Sequence, residues 1–310
     1  MGEEAVRFGS NQYLMGILTF PDEPIPSLVV LLLNAGMIHH VGPSRIYVRL
    51  ARRLAAQGMT VLRFDFSGLG DSCARTDSLA IDKALVDDVR QAMNYLDERL
   101  EISKFVLMGH CGGAWVAFLA ASEDDRVVGA VLMNPEGVEN NWVEYDRQRK
   151  TSHYYENYYT NDVLLDSQRW KRLLSGKADY RSIFNNIIKN IAWYKISAAA
   201  FKLRHQIVAS DDSQERQIES GRWVQIASTF LRRRTQLLLA FSKGSSAIDH
   251  AHAVIGKELH KMQDAGIVTE VIISNADHTF TLLEGQQSLM HHIEDWCRPL
   301  MGEPSQEPSS

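Results

Sequence analysis

The stretch Lys104–Ser122 (KFVLMGHCGGAWVAFLAAS) constrains this chain more than any other. It opens on Phe105-Val106-Leu107-Met108, the pattern of a strand buried on both faces. It passes through Gly109-His110-Cys111-Gly112-Gly113 and continues as Ala114–Ala121, Ala-rich and apolar enough for a buried helix. Strand, glycine turn and buried helix form the context of a nucleophile elbow, G-x-S-x-G, here with Cys111 at the centre. A strained central residue requires small neighbours two positions away, and Gly109 and Gly113 meet that need. A thiol at a helix N-terminus is pushed toward thiolate by the dipole and the free N–H groups. The Gly112 N–H is placed to hold an oxyanion. The competing reading is an inert core cysteine.

The 310 residues carry a net charge of −5, which argues against a general nucleic-acid binder. No apolar run approaches the ~20 residues of a membrane span. The first ten residues, MGEEAVRFGS, lack a signal-peptide core. Cys73, Cys111 and Cys297 are widely spaced and fit a reducing, cytoplasmic setting without a metal or redox CxxC motif. The tail 301–310 reads as disordered.

Along the chain, Val6–Thr19 reads as an antiparallel hairpin at a sheet edge. Leu28–Leu33 is a central strand, followed by the loop Asn34–Pro43. Ser44–Gln57 reads as an amphipathic helix with Ser44 as N-cap and Gly58 past its end. Met59–Phe64 is a strand opening into Asp65–Ser72 (DFSGLGDS). Thr76–Leu100 reads as mostly helix. After the elbow come a strand at Arg126–Met133, ending at Asn134-Pro135-Glu136-Gly137, then a change of pattern. Residues 138–231 are rich in Tyr, Trp, Arg and Lys and read as a helical lid over a core formed by 1–137 and 232–300. Tyr154, Tyr155, Trp170 and Trp193 are candidates to line an apolar pocket or to pack the lid. Thr235–Phe241 is a strand, His250–Ala265 a helix, Gly266–Ser274 the last strand and Gln286–Arg298 the closing helix. Alternating strands and helices imply an α/β architecture, a mostly parallel sheet covered on both faces. Its site then lies in loops at the carboxyl ends of the strands.

These motifs resemble the α/β-hydrolase fold, and more closely the serine aminopeptidase-like hydrolases and the hydrolases associated with exosortase systems. The resemblance rests on Arg49–Ser72 (RLARRLAAQGMTVLRFDFSGLGDS), the box GHCGGA, RVVGAVLMNP and the late ADHTF, about two thirds of the chain. It implies that Arg63, Asp65, Gly68 and Gly70 build the turn after their strand rather than do chemistry. It implies His278 as the base, in the family's order of nucleophile, acid, histidine. Asp277, its neighbour, is poorly placed to orient the His278 ring. The family's acid position falls on Ser245 or Ser246, where this chain departs from the pattern. Asp249 is the candidate acid and Glu136 the alternative. A thiol, with its ordinary pKa near ~8.5, depends less on a third residue than a serine does. The second oxyanion donor falls at Gly36 or Met37. His39 and His40 read as an exposed loop pair. Together with His110 they have no carboxylate at metal-site spacing, so neither metal nor cofactor is expected.

Polyhydroxyalkanoate synthases carry G-x-C-x-G, and dienelactone hydrolases also use Cys in this fold, yet the chain resembles neither along its length. The expected function is acyl transfer through an acyl-S-Cys111 intermediate, as a thioesterase- or esterase-type hydrolase or as an acyltransferase. The substrate would be a small acyl compound, CoA- or carrier-protein-linked acyl groups included. A homodimer through exposed lid aromatics is compatible with the pattern. Two further readings stay open: a binding or scaffold subunit that has lost catalysis, and cofactor-independent non-acyl chemistry in the same pocket.

Overall fold

The computed structural model of the chain describes residues 1–23, 28–135 and 224–301. Among these, eight strands form one sheet: β1 (Gly2–Phe8), β2 (Leu14–Phe20), β3 (Val29–Leu33), β4 (Thr60–Asp65), β5 (Phe105–His110), β6 (Val127–Met133), β7 (Gln236–Ser242) and β8 (Val268–Ile273). Their order is β1-β2-β4-β3-β5-β6-β7-β8. β1 and β2 form the expected edge hairpin, β2 pairs antiparallel with β4, and every later pair is parallel.

The helices are α1 (Ile46–Ala56), α2 (Ile81–Leu100), α3 (Gly112–Glu123), α4 (residues 224–233), α5 (Ser246–Asp264) and α6 (Leu283–Cys297). The interior strands β3 to β7 are buried almost throughout because both their faces are covered, and alternate residues feed opposite cores, whereas the edge strands β1 and β8 are largely exposed or half-buried. Leu31, Leu33, Phe105 and Leu107 pack with Val89 and Met93 of α2 and Phe118 of α3. Val30, Leu32, Val106 and Met108 pack with Leu50 and Leu54 of α1 and Leu289 and Ile293 of α6. None of the helices formed by the described residues is long and apolar enough to cross a membrane.

The elements match the sequence expectations in type but differ at several boundaries. Ser44 is not the N-cap of α1. It lies in a 3-10 turn at φ 49°, and Arg45 caps the helix without a side-chain hydrogen bond. The cause is Tyr47, whose ring lies against Gly42 and whose N–H donates to the Val41 carbonyl, so the loop wraps this ring before the helix can start. Helix α2 starts at Ile81 rather than Thr76. The preceding residues stay irregular, with Arg75 gripped by Asp77, Asp87 and Asp88 and Leu79 exposed. Helix α5 begins at Ser246, not His250, because the Ser245 hydroxyl accepts from the Ala247 N–H as an N-cap.

One compact unit comprises Met1–Val138 and Arg222–Ser310. Helix α4 therefore belongs to the core rather than to an insertion reaching 231: Ile226, Ala227 and Phe230 are buried, and Phe230 packs on Phe118 with ring centroids 5.0 Å apart. The rest of the expected lid, its aromatic residues, Glu136 and the tail 302–310 lie outside the described residues.

Candidate active site

Strand order places the site. From β3 the chain steps through α1 to β4 on one side, then crosses to β5 on the other, so order reverses at the carboxyl ends of β3 and β5. In register, Leu33 lies opposite Gly109, which sets the loop after β3 beside the elbow after β5. Tyr47 fastens the two ends: its hydroxyl donates to the Leu33 carbonyl at 2.8 Å and accepts from the His110 N–H at 3.0 Å. Burial pushes this phenol up, so it stays neutral.

The elbow has the expected strain. Cys111 has φ 55° and ψ −121° and caps α3, and its N–H donates to the Met133 carbonyl at 2.9 Å. A β-carbon on Gly109 would collide with the Gly113 carbonyl, and one on Gly113 with the Asn34 carbonyl. Both positions admit glycine only. Cys111 is partly exposed, Cys73 exposed and Cys297 buried, its thiol pushed up to about 12 by burial and by Glu294. No acidic residue occupies the first turn of α3.

Gly36 sits opposite the start of α3. A β-carbon on Gly112 would stand 3.8 Å from the Gly36 Cα and 3.9 Å from its nitrogen. Gly36 and Met37 form a turn closed by the Ile38 N–H on the Ala35 carbonyl at 3.1 Å, with Gly36 at φ 59°. The backbones carrying the candidate oxyanion donors Gly112, Gly36 and Met37 thus adjoin. The Met37 side chain is exposed.

This turn is held from below by Asp65, a fully buried carboxylate. One oxygen accepts from Asn34 Nδ2 at 2.8 Å and the His40 N–H at 2.6 Å; the other accepts from His40 Nδ1 at 2.8 Å and the Asp71 N–H at 3.1 Å. Burial alone would raise this carboxyl, but the hydrogen bonds of His40, the Asp71 N–H and Asn34 outweigh it and hold it below the usual carboxylate range. Asn34 also donates to the Ile38 carbonyl and accepts from the Phe66 N–H. Gly70 is required because a β-carbon there would strike the Asp65 carboxylate. Asp65 and Gly70 therefore have the structural role the resemblance implied.

His40 corrects the reading of an exposed pair: it is buried, whereas His39 is partly exposed. The expectation of no carboxylate near these histidines fails for the same reason. The fold brings Asp65 and Asp71 to them, so that His39, His40, Asp65 and Asp71 offer four ligand atoms within 4.8 Å of one another. Two imidazoles and two carboxylates could hold a divalent cation. In the structure hydrogen bonds join them instead, with His39 Nε2 3.1 Å from Asp71 Oδ2, and both Asp65 oxygens already accept two donors each.

His278 lies in the loop between β8 and α6, with its ring centroid 4.9 Å from that of His110, the residue before Cys111. Its carbonyl accepts from His110 Nε2 at 2.6 Å and Asn134 Nδ2 at 2.8 Å. Asp277 turns toward its own loop, accepting from the Thr281 N–H and hydroxyl and the Thr279 hydroxyl. Gln286 holds the Phe280 carbonyl at 2.7 Å from the other side. Ser245 is occupied as the cap of α5. Asp249 falls in the first turn of α5, its side chain outside the described residues, as is Glu136. Tyr47, Asn34 and Asn134 also build the candidate site. Most of their partners lie far along the chain, and the sequence hints at a role only through Asn34 and Asn134, each of which directly follows an apolar run.

Residues 26–164 match the model of the family described as serine aminopeptidase. Esterase EstD of Thermotoga maritima is 30% identical over 127 residues, 39% of this chain, and the chain spans only 30% of the length of that curated relative. A proline iminopeptidase of Mycobacterium smegmatis superposes with a TM-score of 0.57 at 15% identity, over 97% of this chain and 99% of that one. An alpha/beta hydrolase of Penicillium sp. sh18 gives 0.55 at 13% identity, over 97% and 99%. A proline iminopeptidase-related protein of Thermus thermophilus gives 0.52 at 16% identity, over 97% and 99%. The mostly parallel sheet of eight strands, the switch point between β3 and β5 and these superpositions show that the chain has the α/β-hydrolase fold.

Proposed function

We propose that this chain is an acyl-transfer enzyme with Cys111 as nucleophile and His278 as base, acting as a thioesterase- or esterase-type hydrolase or as an acyltransferase. The observation that carries this reading is the backbone of Cys111, held at φ 55° and ψ −121° between two glycines that admit no side chain. Strain of this kind costs about 1–3 kcal/mol and is retained where it presents a side chain for use. The esterase relative and the hydrolase-type neighbours support the class.

In this mechanism His278 takes the Cys111 proton and the sulfur attacks the acyl carbonyl carbon. The resulting oxyanion is received by backbone N–H groups at Gly112 and at Gly36 or Met37. Collapse of the adduct expels the leaving group, which takes the proton back from His278, and leaves an acyl thioester on Cys111. Water, an alcohol or an amine then gives its proton to His278 as it attacks that thioester, and collapse of the second adduct breaks the bond to sulfur, releases the acyl product and returns the proton from His278 to Cys111. Asp249, with Glu136 as the alternative, is the proposed acid. Serines at the position where the resemblance places the acid favour a site that leans on the acidity of the thiol.

Intact-protein mass spectrometry after incubation with a panel of acyl thioesters and p-nitrophenyl esters tests the proposal. An acyl adduct on the wild type, absent from Cys111→Ala, is the expected result. Its discharge by water alone, or by added amines and alcohols, separates hydrolase from transferase. No adduct and no turnover across the panel would instead favour a binding subunit or non-acyl chemistry.

A further inference from the structure

We propose that His110 and Asn134 are positioning residues for His278, holding the base through its own carbonyl; this rests on His278 being the base. Two buried side chains from neighbouring strand ends converge on that single oxygen, His110 Nε2 at 2.6 Å and Asn134 Nδ2 at 2.8 Å. A carbonyl has two lone pairs, and both are used here. A loop carbonyl that merely needed a partner could take water.

Each donor has a feature that packing alone does not explain. A carbonyl can only accept, so His110 Nε2 carries its proton and neutral His110 has a bare Nδ1. That Nδ1 is buried with no hydrogen-bond partner among the described residues. Leaving such an atom unpaired costs about 1–3 kcal/mol, which an apolar ring of the same size would avoid. Burial also lowers the His110 pKa to about 4, keeping the donor neutral. Asn134 sits at φ 42°, a region asparagine tolerates better than most residues. Its amide is used at both ends: Oδ1 accepts from the Ser242 N–H at 2.8 Å while Nδ2 reaches His278. The carbonyl is thereby tied to β5, to β6 and, through Asn134, to β7. Fixing it fixes the backbone that aims the imidazole, and base catalysis falls steeply with misplacement of about 1 Å. The anchor on β5 is the residue next to Cys111, so nucleophile and base share one mount.

The test is the rate of Cys111 alkylation by iodoacetamide from about pH 5 to pH 9, resolved by peptide mass spectrometry in the full-length chain, with the exposed Cys73 as internal reference. His110→Phe keeps a ring and removes the donor. Asn134→Asp keeps the acceptor for Ser242 and the tolerance for positive φ, but removes the donor. His110→Gln returns an N–H near the Nε2 position. We expect His110→Phe and Asn134→Asp to lose about tenfold or more of the Cys111 rate near neutral pH, approaching the profile of His278→Ala, and His110→Gln to recover most of it. Folded His110→Phe and Asn134→Asp with wild-type profiles, beside an altered His278→Ala, would overturn the positioning role alone. A wild-type profile in His278→Ala would overturn the base assignment and the positioning role with it.

Discussion

Gly113 lies against the Asn34 carbonyl so closely that no side chain fits between α3 and the loop after β3. The clash would be with backbone, which cannot swing aside. Gly113→Ala should lower stability by about 3 kcal/mol or more, read from chemical denaturation. Gly36 supplies the control: its φ is 59°, but a β-carbon placed there would have nothing within 4 Å. Gly36→Ala should therefore cost only the left-handed strain, about 1 kcal/mol.

Asp65 joins four donors from the loops after β3 and β4. Asp65→Ala leaves Asn34, His40 and the Asp71 N–H without their acceptor, and should destabilise the fold by about 3–5 kcal/mol. The folded carboxyl titrates below its ordinary value of 3.8, so its stabilisation is present above that value and is lost as pH falls through the lower folded one. Denaturation midpoints of wild type and Asp65→Ala should converge in strong acid.

His110 gives a second acid dependence. Its folded pKa of about 4 lies below the ordinary 6.5, so between these values the unfolded chain binds a proton that the folded one refuses. Stability should fall as pH drops from about 6.5 to about 4, by on the order of 3 kcal/mol at most. Burial drives this shift; the hydrogen bond to the His278 carbonyl and, less so, the Asp277 charge favour the charged form, while the charge of the His278 ring acts with burial. The slope of melting temperature against pH in that window should be shallower in His110→Gln.

Helix α4 packs on the core through Ile226, Ala227 and Phe230. Phe230 is fully buried against Phe118. Phe230→Ala should cost about 3–5 kcal/mol in a denaturant titration, whereas truncating an exposed neighbour such as Val224 should be nearly neutral.

What the sequence made legible was local. Apolar runs marked the central strands, while the polar start of β1 at Gly2–Ala5 left no such run, and Gly109 and Gly113 marked the elbow, because a strained turn between two buried elements leaves a pattern within ten residues. What it hid was pairing across the fold. His40 reads as a loop histidine until β4 brings Asp65 beneath it, 25 residues on. Ser44 has the chemistry of a cap, yet the ring of Tyr47 dictates the turn. The grip of His110 and Asn134 on the His278 carbonyl spans 168 and 144 residues, beyond any spacing rule. The acid stayed open for a different reason: the position where the resemblance expects it holds serines, and Ser245 is used to start a helix.

Cys111→Ser tests whether the site depends on a thiol. The replacement keeps size and a hydrogen-bonding hydrogen, so the elbow should fold unchanged. A free cysteine titrates near ~8.5, and a serine hydroxyl is far less acidic, so a serine nucleophile needs a base oriented by a well-placed acid. Serines stand where the resemblance places the acid, and Asp249 falls a few residues later, in α5, so acyl-adduct formation from an activated ester should drop by about a thousandfold or more in Cys111→Ser, while the melting temperature holds. A serine variant that acylates within about tenfold of the wild type would instead mean that the third residue orients the base fully. In that case Asp249→Asn and Glu136→Gln, each made in the serine background, identify it by which one abolishes the activity.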